Sequence, residues 1–278
     1  MKLIGMIGVF GVAAGLAWAD PSAERGEYLV RGPAGCGNCH TPLGPEGPIA
    51  RQELAGRLVE ENDAFTAIAP NLTPASRIAD WSDAELGRAI RDGLRPDGSL
   101  IGPPMPYAMY RGLSDDDVAS MVMFLRTLAP VENDPGSSAY RIPLPPAYGP
   151  PVGTVSAPDP GVTAEYGAYL AGPVAHCMEC HTPFGPHGPM LETDLGRGGF
   201  AFFGPWGVSV APNITPHEDG IGKYADADLA AMITRGERPG GIPMLPPMPY
   251  GYLAQMTGDD LAAIILYLRS LPPLADKG

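Results

Sequence analysis

The chain's only four cysteines stand in two pairs, each followed at once by histidine: Cys36-Gly37-Asn38-Cys39-His40 and Cys177-Met178-Glu179-Cys180-His181. Two thiols three positions apart on a helical turn can add to the two vinyl groups of one porphyrin, and the adjacent imidazole then points at the iron. This C-x-x-C-H spacing is the haem c attachment motif. Cys36, Cys39, Cys177 and Cys180 are therefore candidate covalent anchors for two haem c groups per chain, and His40 and His181 candidate proximal ligands. Paired cysteines have other readings. A thioredoxin-like redox pair needs only one Cys-x-x-Cys and a βαβ context, and a four-cysteine zinc site usually has its pairs closer in sequence. A disulfide within each pair is sterically awkward and leaves the repeated histidine unexplained.

For a sixth iron ligand, Met105 and Met248 each lie inside Pro-Pro-Met-Pro-Tyr, 65 and 67 residues beyond His40 and His181. Proline on both sides presets an extended loop that can hold a thioether over the iron. Met109 aligns with Tyr252 and Met244 with Ile101, so neither of those methionines recurs. An iron capped by imidazole and thioether has a raised reduction potential and no vacancy for oxygen or peroxide, which suits outer-sphere electron transfer. His176, His187 and His217 have no counterpart in the first half and read as surface or loop residues. Asn71-Leu72-Thr73 and Asn213-Ile214-Thr215 match the glycosylation acceptor pattern, and their repetition suits a structural turn near the haem equally well. Trp81, aligned with Tyr224, is either a donor toward a haem propionate or a packing aromatic.

The elements that must hold these residues are written twice. Residues 22–131 recur as 163–274; Ala69-Pro70-Asn71-Leu72-Thr73-Pro74 matches Ala211-Pro212-Asn213-Ile214-Thr215-Pro216, and Phe124-Leu125-Arg126 matches Tyr267-Leu268-Arg269, the offset drifting from 141 to 143. Each half predicts a helix just before its cysteines, a middle helix (82–92 and 225–235) and a last helix (115–128 and 259–271). Ser114 with Asp117, and Thr257 with Asp260, read as N-terminal capping pairs. Val118, Met121, Val122 and Leu125, like Leu261, Ile264, Ile265 and Leu268, recur at helical spacing. No segment reads as a strand. Residues 132–161, rich in proline and without helical period, read as a semi-rigid linker.

A length of 278 residues leaves room for two cores. Hydrophobic residues at 45% against 18% charged can fill them, but 34 prolines and 37 glycines demand much ordered loop. A large buried cofactor would help offset the entropy of ordering it. The net charge of −13 argues against nucleic-acid binding and for solubility or a basic partner surface. Residues 1–19 run from Lys2 through an apolar stretch to Ala17-Trp18-Ala19 and read as a secretory signal peptide cleaved after Ala19. No segment of the mature chain could span a bilayer. The periplasm is the expected compartment.

The Cys-x-x-Cys-His-Thr-Pro starts (ending at Pro42 and Pro183), the Ala-Pro-Asn-Leu/Ile-Thr-Pro turns and the Pro-Met-Pro-Tyr loops together resemble the class I c-type cytochromes. They resemble more closely the di-haem cytochrome subunits of periplasmic dehydrogenases of the alcohol dehydrogenase type. The likeness covers nearly all of the mature chain. It implies an all-α fold of two tandem class I cytochrome c domains with extensive ordered loops, residues 20–131 and 162–278, joined by the linker at 132–161. It also implies that Gly26 and Gly167 let the first helix of each half cross closely against Phe124 and Tyr267 of the last. The implied function is a non-catalytic one, single-electron transfer from a dehydrogenase subunit or soluble donor to a downstream cytochrome or oxidase. A di-haem peroxidase with one open iron is the alternative, and two equivalent methionine loops argue against it. A cytochrome with a cysteine axial ligand fails, since no cysteine remains after haem attachment.

Overall fold

The computed structural model describes residues 20–185 and 188–277. The expected signal peptide at 1–19 and the loop residue His187 lie outside the described residues. In the first half, α1 (Ala23–Arg31) starts at Ser22, whose hydroxyl accepts the Arg25 N–H at 3.1 Å, and α2 (Cys36–His40) carries the cysteine motif. A short ladder of β1 (Leu43–Gly44) and β2 (Gly47–Pro48) leads to a hairpin of β3 (Arg57–Glu61) and β4 (Phe65–Ala69). Then come α3 (Asp83–Arg91), α4 (Tyr107–Tyr110) and α5 (Asp115–Thr127), and β5 (Ala139–Tyr140) returns to pair with β4.

The second half repeats this order. It runs α6 (Ala164–Tyr169), α7 (Cys177–Cys180), β6 (Phe184–Gly185) with β7 (Gly188–Pro189), and β8 (Ala201–Gly204) with β9 (Gly207–Val210). It ends with α8 (Asp226–Arg235), β10 (Glu237–Arg238) with β11 (Ile242–Pro243), α9 (Tyr250–Leu253) and α10 (Gly258–Ser270). The long helices stand within a residue or two of their expected bounds, because their caps are local. Ser114 Oγ and Thr257 Oγ1 each accept the N–H three residues on at 3.1 Å, and the Ser82–Glu85 capping box opens α3.

The all-α expectation is wrong. Every half carries antiparallel strands, and the reason is visible in hindsight: Asn62 folds the first turn by accepting the N–H groups of Ala64 and Phe65 at 2.9 and 3.0 Å. Phe-Phe-Gly-Pro-Trp-Gly-Val-Ser-Val at 202–210 likewise places aromatic and β-branched residues on either side of a Gly-Pro turn. The picture of two separate cores also needs correction. One cluster of buried side chains joins Leu29, Leu113 and Met121 of the first half to Leu170, Ile264 and Leu268 of the second.

Within each half the first and last long helices cross at a glycine. A Cβ at Gly26 would come within 3.0 Å of the Ser120 backbone and of Phe124 Cβ, and one at Gly167 would do the same at Ala263 and Tyr267. Between halves the contacts are reciprocal. The Tyr28 hydroxyl donates to Asp260 at 2.5 Å and accepts the Thr257 N–H at 3.2 Å, while the Tyr169 hydroxyl donates to Asp117 at 2.6 Å and accepts the Ser114 N–H at 3.1 Å. Residue i meeting j while j's counterpart meets i's is the signature of a two-fold interface, here inside one chain. Asp117 is held further by Arg25, in a buried bidentate pair at 2.8 and 3.0 Å.

Residues 132–155 do not hang between the halves. Asn133 donates to the carbonyls of Ala55 and Gly56, β5 extends the first hairpin, and the Asp115 N–H donates to the Val155 carbonyl. Tyr140 and Tyr148 donate to the carbonyls of Pro103 and Ile101 at 2.8 and 2.9 Å, and the Tyr148 ring stacks on Tyr107 at 5.0 Å. The segment is a strap over the Met105 loop. Among the described residues no helix is long and apolar enough to cross a membrane.

Candidate functional site

Each cysteine turn is set up by a wide backbone turn that ends the preceding helix. The Ala34 N–H reaches back to the Leu29 carbonyl at 3.0 Å and the Ala175 N–H to the Leu170 carbonyl at 2.7 Å. The next residue is left-handed in both halves: Gly35 at φ 58° and its counterpart His176 at φ 40°. Left-handed backbone is free for glycine and costly for histidine, so a contact must hold His176 there. Its ring packs edge-on against Tyr110 of the other half, centroids 5.8 Å apart.

The imidazoles of His40 and His181 are buried and each sets Nδ1 2.8 Å from a backbone carbonyl, that of Pro70 or Pro212. A carbonyl only accepts, so Nδ1 carries the proton and Nε2 keeps its lone pair. Burial, partly offset by that hydrogen bond, pushes His40 down to about 4 and lowers His181, so both rings are neutral at pH 7. The carbonyls are aimed by the Asn-x-Thr turns that follow. Thr73 and Thr215 donate their N–H groups to Asn71 and Asn213 at 2.8 and 2.9 Å, and the asparagine amides donate to the Val131 and Leu274 carbonyls. Both asparagines are buried, so of the two readings of this motif the structural turn is the one built. The threonines after the histidines pin the far side: Thr41 accepts the Leu54 N–H and Thr182 the Gly196 N–H.

The four cysteines are free thiols. Burial raises all four, Cys36 and Cys180 to about 12 and Cys177 to about 11. Among the described residues no three of His, Cys, Asp and Glu converge on a metal-sized point, which removes the four-cysteine zinc reading. A paired, neutral donor set of two thiols and one bare imidazole nitrogen fits a covalently attached haem. Arg57 and Arg197 add to that fit: each has a buried Nε with no hydrogen-bond partner, next to the residue whose N–H donates to the His40 or His181 carbonyl.

Met105 and Met248 come from separate segments, the loops before α4 and α9, each containing a cis Pro–Pro bond. Met105 packs against the core cluster and its sulfur accepts the Tyr107 hydroxyl at 3.0 Å. In the second half the corresponding Tyr250 donates instead to the Leu245 carbonyl. Leu245, Pro246 and Pro247 are exposed there, whereas Tyr107 and Pro106 are buried. Trp81 packs against the core. His217 accepts the Asp219 N–H within its own turn.

Sequence reasoning missed that the two cysteine turns face a common junction. α4 packs on α7, and Tyr252 lies so close over α2 that a Cβ at Gly37 would meet its hydroxyl at 2.7 Å. Burial and then the neighbouring charges of Glu179, Cys177 and Cys39 hold the Cys180 thiol up, which places the two motifs within each other's field. The signal was present only as an unexplained asymmetry, histidine where its duplicate has glycine. A groove of about 790 Å³ between α3 and α5 is lined by none of the candidate ligands.

No family model matches the chain. It is 32% identical to the fructose dehydrogenase cytochrome subunit of Gluconobacter japonicus, over 93% of this chain and 54% of that protein. It is 31% identical to the cytochrome c subunit of the quinone alcohol dehydrogenase of Gluconobacter oxydans, over 99% of this chain and 61% of that protein. The chain thus spans between half and two thirds of the length of these relatives. With a diheme cytochrome c-type protein of Cereibacter sphaeroides the match is nearly end to end, 31% identity over 91% of this chain and 86% of the relative. A relative of 31% identity matched along most of both lengths places this chain in the c-type cytochrome family.

Proposed function

We propose that the chain is a two-haem electron carrier of the periplasm, exported by the segment 1–19 and built as two haem-binding halves, 20–131 and 162–278. Single electrons pass from a dehydrogenase subunit or soluble donor to a downstream cytochrome or oxidase. Cys36 and Cys39 would hold one haem c and Cys177 and Cys180 the other, with His40 and Met105, and His181 and Met248, as the iron ligands. The observation that carries this reading is the repeated locking of imidazole Nδ1 onto a carbonyl at 2.8 Å, which leaves a fixed, unprotonated Nε2 beside each thiol pair. Bound haem supplies a one-electron iron couple. The protein's part is to hold the ring neutral and oriented, keep water from the site, and offer the half-buried Arg57 and Arg197 to the propionate edge. The dehydrogenase partner is supported by the names of the relatives.

The test is stoichiometry by pyridine haemochrome and intact mass. The exported protein carries two haems, a Cys36→Ala, Cys39→Ala chain carries one, and Met248→Ala loses the thioether-to-iron absorption of one haem only. Rapid carbon monoxide binding with peroxide turnover by the unaltered protein would overturn it in favour of a peroxidase.

A further inference from the structure

The two halves treat the outer edge of the same hairpin in opposite ways. In the first half the edge of β4 is filled: Phe65 pairs with Tyr140, Thr66 with Ala139, and the Ser138 hydroxyl accepts the Ile68 N–H at 2.9 Å and donates to the Ile68 carbonyl at 3.1 Å. β9 is the duplicate of β4 at an offset of 142, with Val208 in place of Thr66 and Val210 in place of Ile68. Ala211 turns both backbone groups inward, donating to the Phe200 carbonyl and accepting the Gly199 N–H, each at 2.8 Å. Strand alternation therefore aims the N–H and carbonyl groups of Val210 and Val208 outward. Among the described residues no strand pairs there, and the two valines are 54% and 56% exposed.

The guarding differs as well. The first hairpin has a register shift between Leu58 and Glu60 and carries Arg57, Glu60, Glu61 and Asp63. Residues 201–210 pair in regular register, residues 199–212 carry no charged side chain, and the turn presents Phe203, 78% exposed, beside Trp206. An edge without charged side chains is a template for another strand.

We propose that the outer edge of β9 is a binding site for an extended segment of a partner protein, added as a strand in the way that residues 138–141 add to β4. The ligand is an uncharged extended peptide whose backbone pairs at Val208 and whose small hydroxyl residue faces Val210. Opposite Gly207 it carries a small residue. The internal strand's Tyr140 fits against Gly102, and Leu245 occupies that position in the second half. A second copy of the chain is the poorer occupant, since two molecules of net charge −13 repel at long range.

The site is tested with the full-length, haem-loaded, nitrogen-15-labelled protein in its reduced state and a capped peptide of residues 136–140 carrying Tyr140→Ser. The expected result is saturable shifts of the Val208 and Val210 amides with Kd below about 1 mM, lost with Val208→Lys and lost with a peptide N-methylated at the Ala139 position. The peptide control needs no change to the protein, so a misfolded variant leaves the test intact. The proposal is overturned by absence of saturation, by shifts that persist with either control, or by the unaltered protein sedimenting as a dimer that Val208→Lys returns to monomer. None of these readouts depends on the ligands of the irons.

Discussion

Glu179 and His176 stand 3.5 Å apart at the junction, and burial moves them in opposite directions, the carboxyl up to about 7 and the imidazole down to about 4. The unfolded chain ionises Glu179 near its ordinary 4.5, so as pH rises from there through 7 the folded state loses stability. His176 acts the other way, losing stability as pH falls from 6.5 through 4. The two slopes oppose each other, so the contribution of this pair to stability is nearly the same at about pH 5 and about pH 8. Glu179→Gln removes one slope and leaves a protein more stable at the higher pH by roughly 2 kcal/mol, readable as a raised melting temperature. At this scale the repetition of the cysteine turns and of the Pro-Pro-Met-Pro-Tyr loops was legible, because each is a run of a few residues written twice. His176 was read as a loop residue, since what holds it, Tyr110, belongs to the other half of the chain.

Helices were legible wherever a capping side chain and an apolar period coincide, as at α3, α5 and α10. Strands were not: the longest have five residues, and the shortest are two-residue ladders held by Gly-Pro turns, too short for a period of two to emerge. The crossing of α1 on α5 depends on a missing side chain. Gly26→Ala drives a methyl into the Ser120 carbonyl, and overpacking of backbone against backbone should destabilise the protein by roughly 1–3 kcal/mol or more in urea unfolding. Gly167→Ala should match it in the second half. The same substitution at Gly153, where nothing lies within 4 Å, tests whether the loss comes from the crossing.

Across the whole molecule, the duplication was legible and the way its copies meet was not, because Tyr28 and Asp260 are joined only by the fold. The shared core and the reciprocal tyrosine–aspartate bonds predict one cooperative unfolding transition by calorimetry. Tyr28→Phe with Tyr169→Phe leaves Asp260 and part of the Asp117 bonding unsatisfied in a buried setting, and should cost about 1–3 kcal/mol for each and split the transition in two. The strap breaks the symmetry that this interface sets up. Tyr140 and Tyr148 roof the Met105 loop, and among the described residues no such roof covers the Met248 loop. A drier iron resists its extra oxidised charge, so its midpoint is the more positive. On the proposed ligation, an electron arriving at either end would settle on the haem beside Met105. A potentiometric titration should resolve two steps, and Tyr140→Ala with Tyr148→Ala should let water in and draw the upper step down toward the lower.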